Sequence, residues 1–370
     1  MKRLLVFAII FLACAHHSVA ERIKIGVPLA LTGDFAPMGE DARDGIIFAN
    51  EQLGQERYEL IFEDTKCDGK SAVEVAHKFL SVDKVSFIVG LSCNTELLSS
   101  AQIFERAKIP VIAVSATSGD VQRVGEYIFR PFPADHLGSK LLYHHMKTRF
   151  KRVGILTEDE EYATLLERAF RQESEREGIV SVVYEQSPRG GKDFRTILLR
   201  LLAKKPEAIF LNPAGEAGFI PLIKQVRALK VNLPLFAEYM PGSSVVLKEV
   251  KREVEGMVFA DLPSAADIGT GKGAEILRAM DARFGPSRSV SLLRSLGYTS
   301  FQLLDQAVRS NSDVQKFLKN RSFTSELLGD VSFTPENTLR GIEFTLKQIK
   351  NGVPVTFNTF PKGEEPAPSK

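Results

Sequence analysis

The sequence predicts an α/β protein of two doubly wound lobes, each a mostly parallel sheet with helices on both faces. Two observations predict it. Short apolar runs rich in β-branched and aromatic residues alternate with longer amphipathic ones, the pattern of strand–helix units. The alternation also comes in two blocks, of about 110 and 130 residues, a natural size for one core each, and the break between them is Arg130-Pro131-Phe132-Pro133.

In the first block, Ile23–Leu29, Tyr58–Glu63, Phe87–Gly90 and Val111–Val114 read as strands. Asp41–Leu53, Ser71–Val82 and Thr95–Arg106 read as the helices between them. In the second block the strands are Arg152–Thr157, Val180–Glu185, Ala208–Leu211, Leu235–Ala237 and Glu255–Phe259. Its helices are Leu137–Phe150, Tyr162–Arg176, Phe194–Ala203 and Phe219–Leu229. The Pro131/Pro133 and Pro263 neighbourhoods are candidate crossings between blocks. Beyond them, Ile276–Phe284 and Leu292–Val308 read as helices, and Ile342–Ile349 with Val353–Asn358 as a hairpin turning at Asn351-Gly352, a strong two-residue turn signal. Residues 363–370, with two prolines, read as a disordered tail.

Residues 1–20 read as a secretory leader: Lys2 and Arg3, then the apolar run Leu4–Ala15, then Ser18-Val19-Ala20 as a small-x-small cleavage site. The apolar run is too short to span a bilayer, which takes about 20 residues. The expected product is exported and begins at Glu21. Cys14 in Phe11-Leu12-Ala13-Cys14 is a loose match to a lipoprotein box, and the plainer reading is a leader cysteine. The 48 basic residues fall by two with the leader and then equal the 46 acidic ones. No basic stripe remains for nucleic acid.

Two thiols lie outside the leader, Cys67 and Cys93. In an exported chain an even pair points to a disulfide, and two free buried thiols or half a metal site are the alternatives. No further ligands at metal-site spacing lie near them. Other enzyme or metal signals are weak. There is no Gly-x-Ser-x-Gly elbow and no His-Glu-x-x-His. Gly269-Thr270-Gly271-Lys272-Gly273 lacks the Ser or Thr of a phosphate loop and reads as a flexible linker. His144 and His145 are helical neighbours about 100° apart, poor chelating geometry. No catalytic residue, metal or cofactor is expected.

Open α/β sheets bind ligands beyond the carboxyl ends of their strands. Here those ends carry Ser92-Cys93-Asn94 before a helix, Ser115-Ala116-Thr117, Thr157-Glu158-Asp159 with Tyr162 beyond, Asn212, and Glu238-Tyr239. Amides at a helix N-terminus favour an anion, and a buried carboxylate such as Glu238 favours an ammonium. Together they suit a zwitterion, an amino acid, enclosed between lobes. The plainer readings are that Asn94 caps its helix, Ser115 and Thr117 close a loop, Tyr162 packs, and Glu238 is a solvated acid.

An ordered set of motifs then gives a resemblance. Ile25-Gly26-Val27-Pro28-Leu29, Leu31-Thr32-Gly33, Cys67–Val73, Gly90–Asn94, Ile109–Ile112, Ser115–Thr117, Phe129-Arg130 and Lys192-Asp193-Phe194 span nearly the whole chain past the leader. The chain resembles the type I periplasmic solute-binding proteins of ABC importers, in the leucine/isoleucine/valine-binding branch. The resemblance implies two Rossmann-like lobes joined by three hinge crossovers, with the ligand in the cleft, and a Cys67–Cys93 disulfide. With the crossings above, residues 21–132 and 264–330 would form the first lobe, and 133–263 and 331–362 the second.

It also implies that Asn94, Ser115, Ala116 and Thr117 hold the ligand's carboxylate and ammonium, that Tyr162 is the cleft tyrosine, and that the ammonium-binding acid falls at or beside Glu238. The implied partners are a membrane permease and its ATPase, with the receptor acting as a monomer; the same fold could instead present a ligand to a sensory receptor. Three departures put leucine itself in question. Asn94 stands where a serine is usual, Met38 where an aromatic often covers the side chain, and Asn212–Gly215 lacks a tyrosine. The expected ligand stays a small carboxylate-bearing solute, an amino acid of the branched-chain kind or a related one, with an amide, aromatic acid or short aliphatic acid as the alternative. With no tryptophan in the chain, Phe35 and Phe132 are the candidates for ring contact.

Overall fold

A computed structural model describes residues 21–117, 124–178, 181–263, 271–290 and 292–358. The leader with Cys14, Gly269-Thr270 and the tail 363–370 lie outside the described residues.

The first sheet is five-stranded and all parallel, in the order β2-β1-β3-β4-β5. Its strands are β1 (Ile23–Leu29), β2 (Tyr58–Asp64), β3 (Phe87–Gly90), β4 (Val111–Ala113) and β5 (Ile128–Phe129). Between them run α1 (Ala36–Ala49), α2 (Gly69–Lys78) and α3 (Asn94–Ala107), and the first two helices each end in a π-helical turn. Helix α1 starts five residues before the expected Asp41 because Pro37 sits in its first turn, where a missing N–H costs nothing.

The second sheet has seven strands in the order β15-β14-β10-β9-β8-β6-β7. Strands β6 (Arg152–Glu158), β7 (Ser181–Ser187), β8 (Ala208–Asn212), β9 (Leu235–Glu238) and β10 (Val258–Asp261) are parallel. The hairpin β14 (Thr345–Lys350) and β15 (Val353–Asn358) adds antiparallel to β10. Its turn residues Asn351 and Gly352 both have positive φ, 56° and 70°, as a type I′ turn requires. Helices α4 (His136–Lys147), α5 (Glu161–Glu177), α6 (Arg195–Ala203), α7 (Glu216–Ala228) and α8 (Ser244–Val250) belong to this lobe.

Three stretches join the sheets: Arg130–Asp135, the one leaving β10 at Asp261, and Gly341–Phe344. The expected lobe boundary after residue 330 needs correcting. It cuts β12 (Gly329–Phe333), the centre of a three-stranded antiparallel sheet with β11 (Ser322–Ser325) and β13 (Leu339–Arg340). That sheet packs on the first lobe through Phe333 against Phe129 and a bridge from Thr338 to Arg130. The return crossing therefore comes at Gly341–Phe344. The linker reading of Gly269–Gly273 also changes, because residues 271–273 open the helix Gly271–Phe284.

The helix Leu292–Arg309 lies against α1. Glycines on both make the contact possible. A Cβ on Gly45 would sit 2.1 Å from the carbonyl oxygen of Arg294, and one on Gly297 the same distance from that of Ala42. The two backbones touch, and α1 and Leu292–Arg309 form one rigid body.

Candidate functional site

Each sheet has one switch point, where strand order reverses: between β1 and β3 in the first and between β6 and β8 in the second. The carboxyl ends of these strands face each other across a cleft that opens to solvent and holds about 690 Å³ of empty space, the solvent at its mouth included. The first lobe contributes Phe35, Met38, the Cys67–Cys93 pair, Ser92, Asn94, Ser115, Thr117, Ser289, Val290, Leu292 and Leu293. The second contributes Glu160, Tyr162, Ala214, Tyr239 and Met240, and the first crossing supplies Phe132 and Asp135.

The first-lobe wall is braced twice. Cys67 and Cys93 form a disulfide with 5.6 Å between Cα atoms. Beneath it lies the buried Glu96, in the first turn of α3. Its carboxylate accepts from the amides of Cys93 (2.9 Å) and Cys67 (3.1 Å) and from the Thr65 hydroxyl. Burial raises the Glu96 carboxyl above its ordinary pKa, against the pull of those donors. Asn94 Oδ1 accepts from the Thr117 amide (2.7 Å), and Ser115 Oγ donates to the Ser92 carbonyl (2.7 Å). The loops after β3 and β4 thus lock together, and Asn94 spends its carbonyl on the scaffold. As the first residue of α3 it also brings that helix's positive end to the cavity.

Of the expected site residues, Met38, Asn94, Ser115, Thr117 and Tyr162 line this cavity, as do Phe35 and Phe132. Ala116 does not. It is buried, and its carbonyl accepts from Arg130 (3.4 Å).

Glu238 is not on the wall either, which corrects its expected place. It ends β9 pointing at α4, where Oε1 accepts from Ser139 Oγ (2.6 Å) and Oε2 is buried without a partner among the described residues. Burial and the charge of Asp135 push its carboxyl well above the usual range. The next residue, Tyr239, has φ 41° and ψ −49°, a strained backbone for a side chain of this size. That twist sends the tyrosine to the cavity wall and leaves the glutamate behind it.

The acid that does reach the wall is Asp135, which sequence reasoning missed. It is 2% exposed and accepts from the Tyr239 phenol (2.5 Å) and the Thr117 hydroxyl. Burial raises it to about 7, opposed by those two donors and by the charge of Arg130. The one available signal was position: an acid directly after Pro131/Pro133 and before a helix, on a crossing. Glu160, the N-cap of α5, is a second acid on the wall, raised by burial, and accepts from the Tyr162 amide (2.8 Å). The Tyr162 phenol is held well above its ordinary pKa by burial, with Asp135, Glu238 and Glu160 adding to the shift. No lysine, arginine or histidine lines the cavity among the described residues.

Away from the cavity, His144 lies near Glu173 and Glu177. Those carboxylates already accept from Lys140 (3.1 Å), Lys147 (2.8 Å) and Arg176 (2.5 Å), so the cluster is an ion-pair network.

Two lobes, three crossings and a cavity built on both switch points define a two-lobed α/β binding protein. The family model described as periplasmic binding protein matches residues 22–350, and the chain belongs to that family. It is 24% identical over 349 residues to a leucine-, isoleucine-, valine-, threonine- and alanine-binding protein of Pseudomonas aeruginosa, covering 90% of this chain and 91% of that one. The fold superposes on a leucine binding protein of Thermotoga maritima with TM-score 0.80 at 21% identity, over 91% of this chain and 98% of the other. It superposes on an ABC-transporter solute binding protein of R. palustris, in complex with benzoate, with TM-score 0.81 at 19% identity, over 91% and 95%.

Proposed function

We propose that this chain is the periplasmic receptor of an ABC importer. It captures an amino acid with an apolar side chain and delivers it to a permease and its ATPase, acting as a single chain and without catalysis. The observation that carries the reading is the polarity of the cavity. One side is the N-terminus of α3, where Asn94, Ser115 and Thr117 meet and a carboxylate is favoured. The other side is Asp135 with Glu160 and Tyr162, where an ammonium is favoured. Met38, Phe35, Phe132 and Met240 supply apolar surface between them. The Pseudomonas relative, named for five amino acids, supports the same class. Residues 1–20 would direct export.

A second reading is an aromatic acid, favoured by the benzoate-bound neighbour and by two phenylalanines on the wall. The acids Asp135 and Glu160 weigh against it, because such a ligand brings no cation to meet them. The test is mass spectrometry of ligand released from the purified protein, followed by calorimetry with L-leucine, L-valine, L-phenylalanine and benzoate. Saturable binding of an amino acid supports the first reading. Binding of benzoate alone overturns it.

A further inference from the structure

We infer that the loop Ser287–Ser289 is a latch across the cleft, and that Glu216 and Ser244 are positioning residues that set ligand retention without touching the ligand. Ser289 Oγ donates to Glu216 Oε1 (2.6 Å) at the start of α7. Ser244 Oγ, at the start of α8, donates to the carbonyls of Ser287 (2.5 Å) and Ser289 (3.3 Å). These bonds join the first lobe to the second. Glu216 and Ser244 are absent from the cavity wall, whereas Ser289 is on it.

Each half of the latch is also held by bonds within its own lobe. On the first lobe the buried carboxylate of Asp41 accepts from Ser287 Oγ (2.5 Å) and from the amides of Arg288 and Ser289 (2.9 Å each). The Arg294 guanidinium donates to it as well (3.1 Å), and Arg288 is tied to Asp44 (2.5 Å). On the second lobe Ser243 Oγ donates to the same Glu216 oxygen (3.0 Å). A contact between two parts so held loses little entropy on forming. It adds stability to the closed arrangement alone, and the affinity of a two-state receptor scales with the fraction that is closed. The latch therefore acts on the release rate, since opening must break it and encounter does not.

This inference deepens the receptor reading, and its test separates the two. A fluorescence donor–acceptor pair, one dye on each lobe of the full chain, reports closure with no ligand present. Glu216→Ala and Ser244→Ala are expected to shift the unliganded protein toward the open distance. Glu216→Gln, which keeps one oxygen able to accept from both serines, is expected to restore most of the closed signal. In stopped-flow with L-leucine as the probe, Glu216→Ala is expected to raise the dissociation rate on the order of tenfold, the weight of one charge-assisted hydrogen bond, and Ser244→Ala, which removes neutral bonds to carbonyls, by about threefold to tenfold, with the association rate within about twofold in both. An unchanged distance distribution in the double variant Glu216→Ala/Ser244→Ala overturns the latch whatever the ligand proves to be. If leucine does not bind the parent chain, the amino-acid reading is what suffers, and the dye distances still decide the latch.

Discussion

The phenol of Tyr239 donates a 2.5 Å hydrogen bond to Asp135 and so ties the end of β9 to the first crossing between the lobes. Two residues 104 apart in sequence meet where the chain passes from one lobe to the other. Asp135 is thereby fixed in place with one oxygen committed, and burial raises its carboxyl to about 7.

Unliganded stability should fall as pH rises through the neutral range. The Asp135 carboxyl titrates near 4 in the unfolded chain and at about 7 in the folded one. Between these values the folded state binds more protons, so its contribution is complete below about pH 4 and lost as pH rises through about 7. Glu238, Glu160 and Glu96 are shifted in the same direction by burial. Asp135→Asn should flatten the decline by up to about 4 kcal/mol at pH 8, read from urea midpoints across pH. An unchanged slope would remove Asp135 from the account.

Asp135 and Glu238 should separate in binding. Asp135→Asn removes the acid on the wall and is expected to cost about 2–5 kcal/mol in affinity for an amino acid, the loss seen when a buried charge loses its partner. Glu238→Gln, one layer back and still able to accept from Ser139, should change affinity by under about 1 kcal/mol. Calorimetry on both variants checks this, and equal losses would return the ammonium to Glu238.

Asn94→Ala should act through Thr117. It leaves the Thr117 amide without the acceptor it has now, at about 1–3 kcal/mol. Because the loop also carries Ser115 and the hydroxyl on Asp135, ligand affinity should fall together with stability. Asn94→Asp keeps an acceptor and should preserve stability. Parallel melting and binding curves distinguish the two effects.

Reduction of the disulfide should lower stability more than affinity. Its loop of 26 residues is worth about 3–4 kcal/mol in the chain-entropy model. In the reduced protein Glu96 still holds the amides on both sides of the gap, so the wall keeps its shape until the lobe unfolds. Denaturant midpoints with and without reductant test the first part, and ligand titration in reductant the second. Glu96→Ala in reductant should then lose both.

The central strands were legible in the sequence because they are short, mostly apolar runs, largely buried on both faces. Ile23–Leu29 and Phe87–Gly90 have the boundaries the pattern gives. The sheet of β11, β12 and β13 was not legible. Its strands are short, rich in Ser, Gly and Asp, and alternate buried with exposed positions over too few residues to set a period. In the cavity, the residues of Ser92–Asn94 and Ser115–Thr117 were found because strand ends point there by topology alone. Asp135 was not, because a crossing has no periodicity and its partners Tyr239 and Thr117 come from distant loops. Glu238 was expected at the cavity because it ends a strand; its side chain turns to Ser139 of α4, and the next residue, Tyr239 at positive φ, takes the wall.

The glycine contact between α1 and the helix Leu292–Arg309 has a mechanical consequence. Asp41 on one helix seats the latch loop, while Leu292 and Leu293 on the other border the ligand cavity. With the two backbones in contact, cavity wall and latch cannot move separately. The first lobe meets its partner as a single jaw, and its travel has to be taken up at the three crossings.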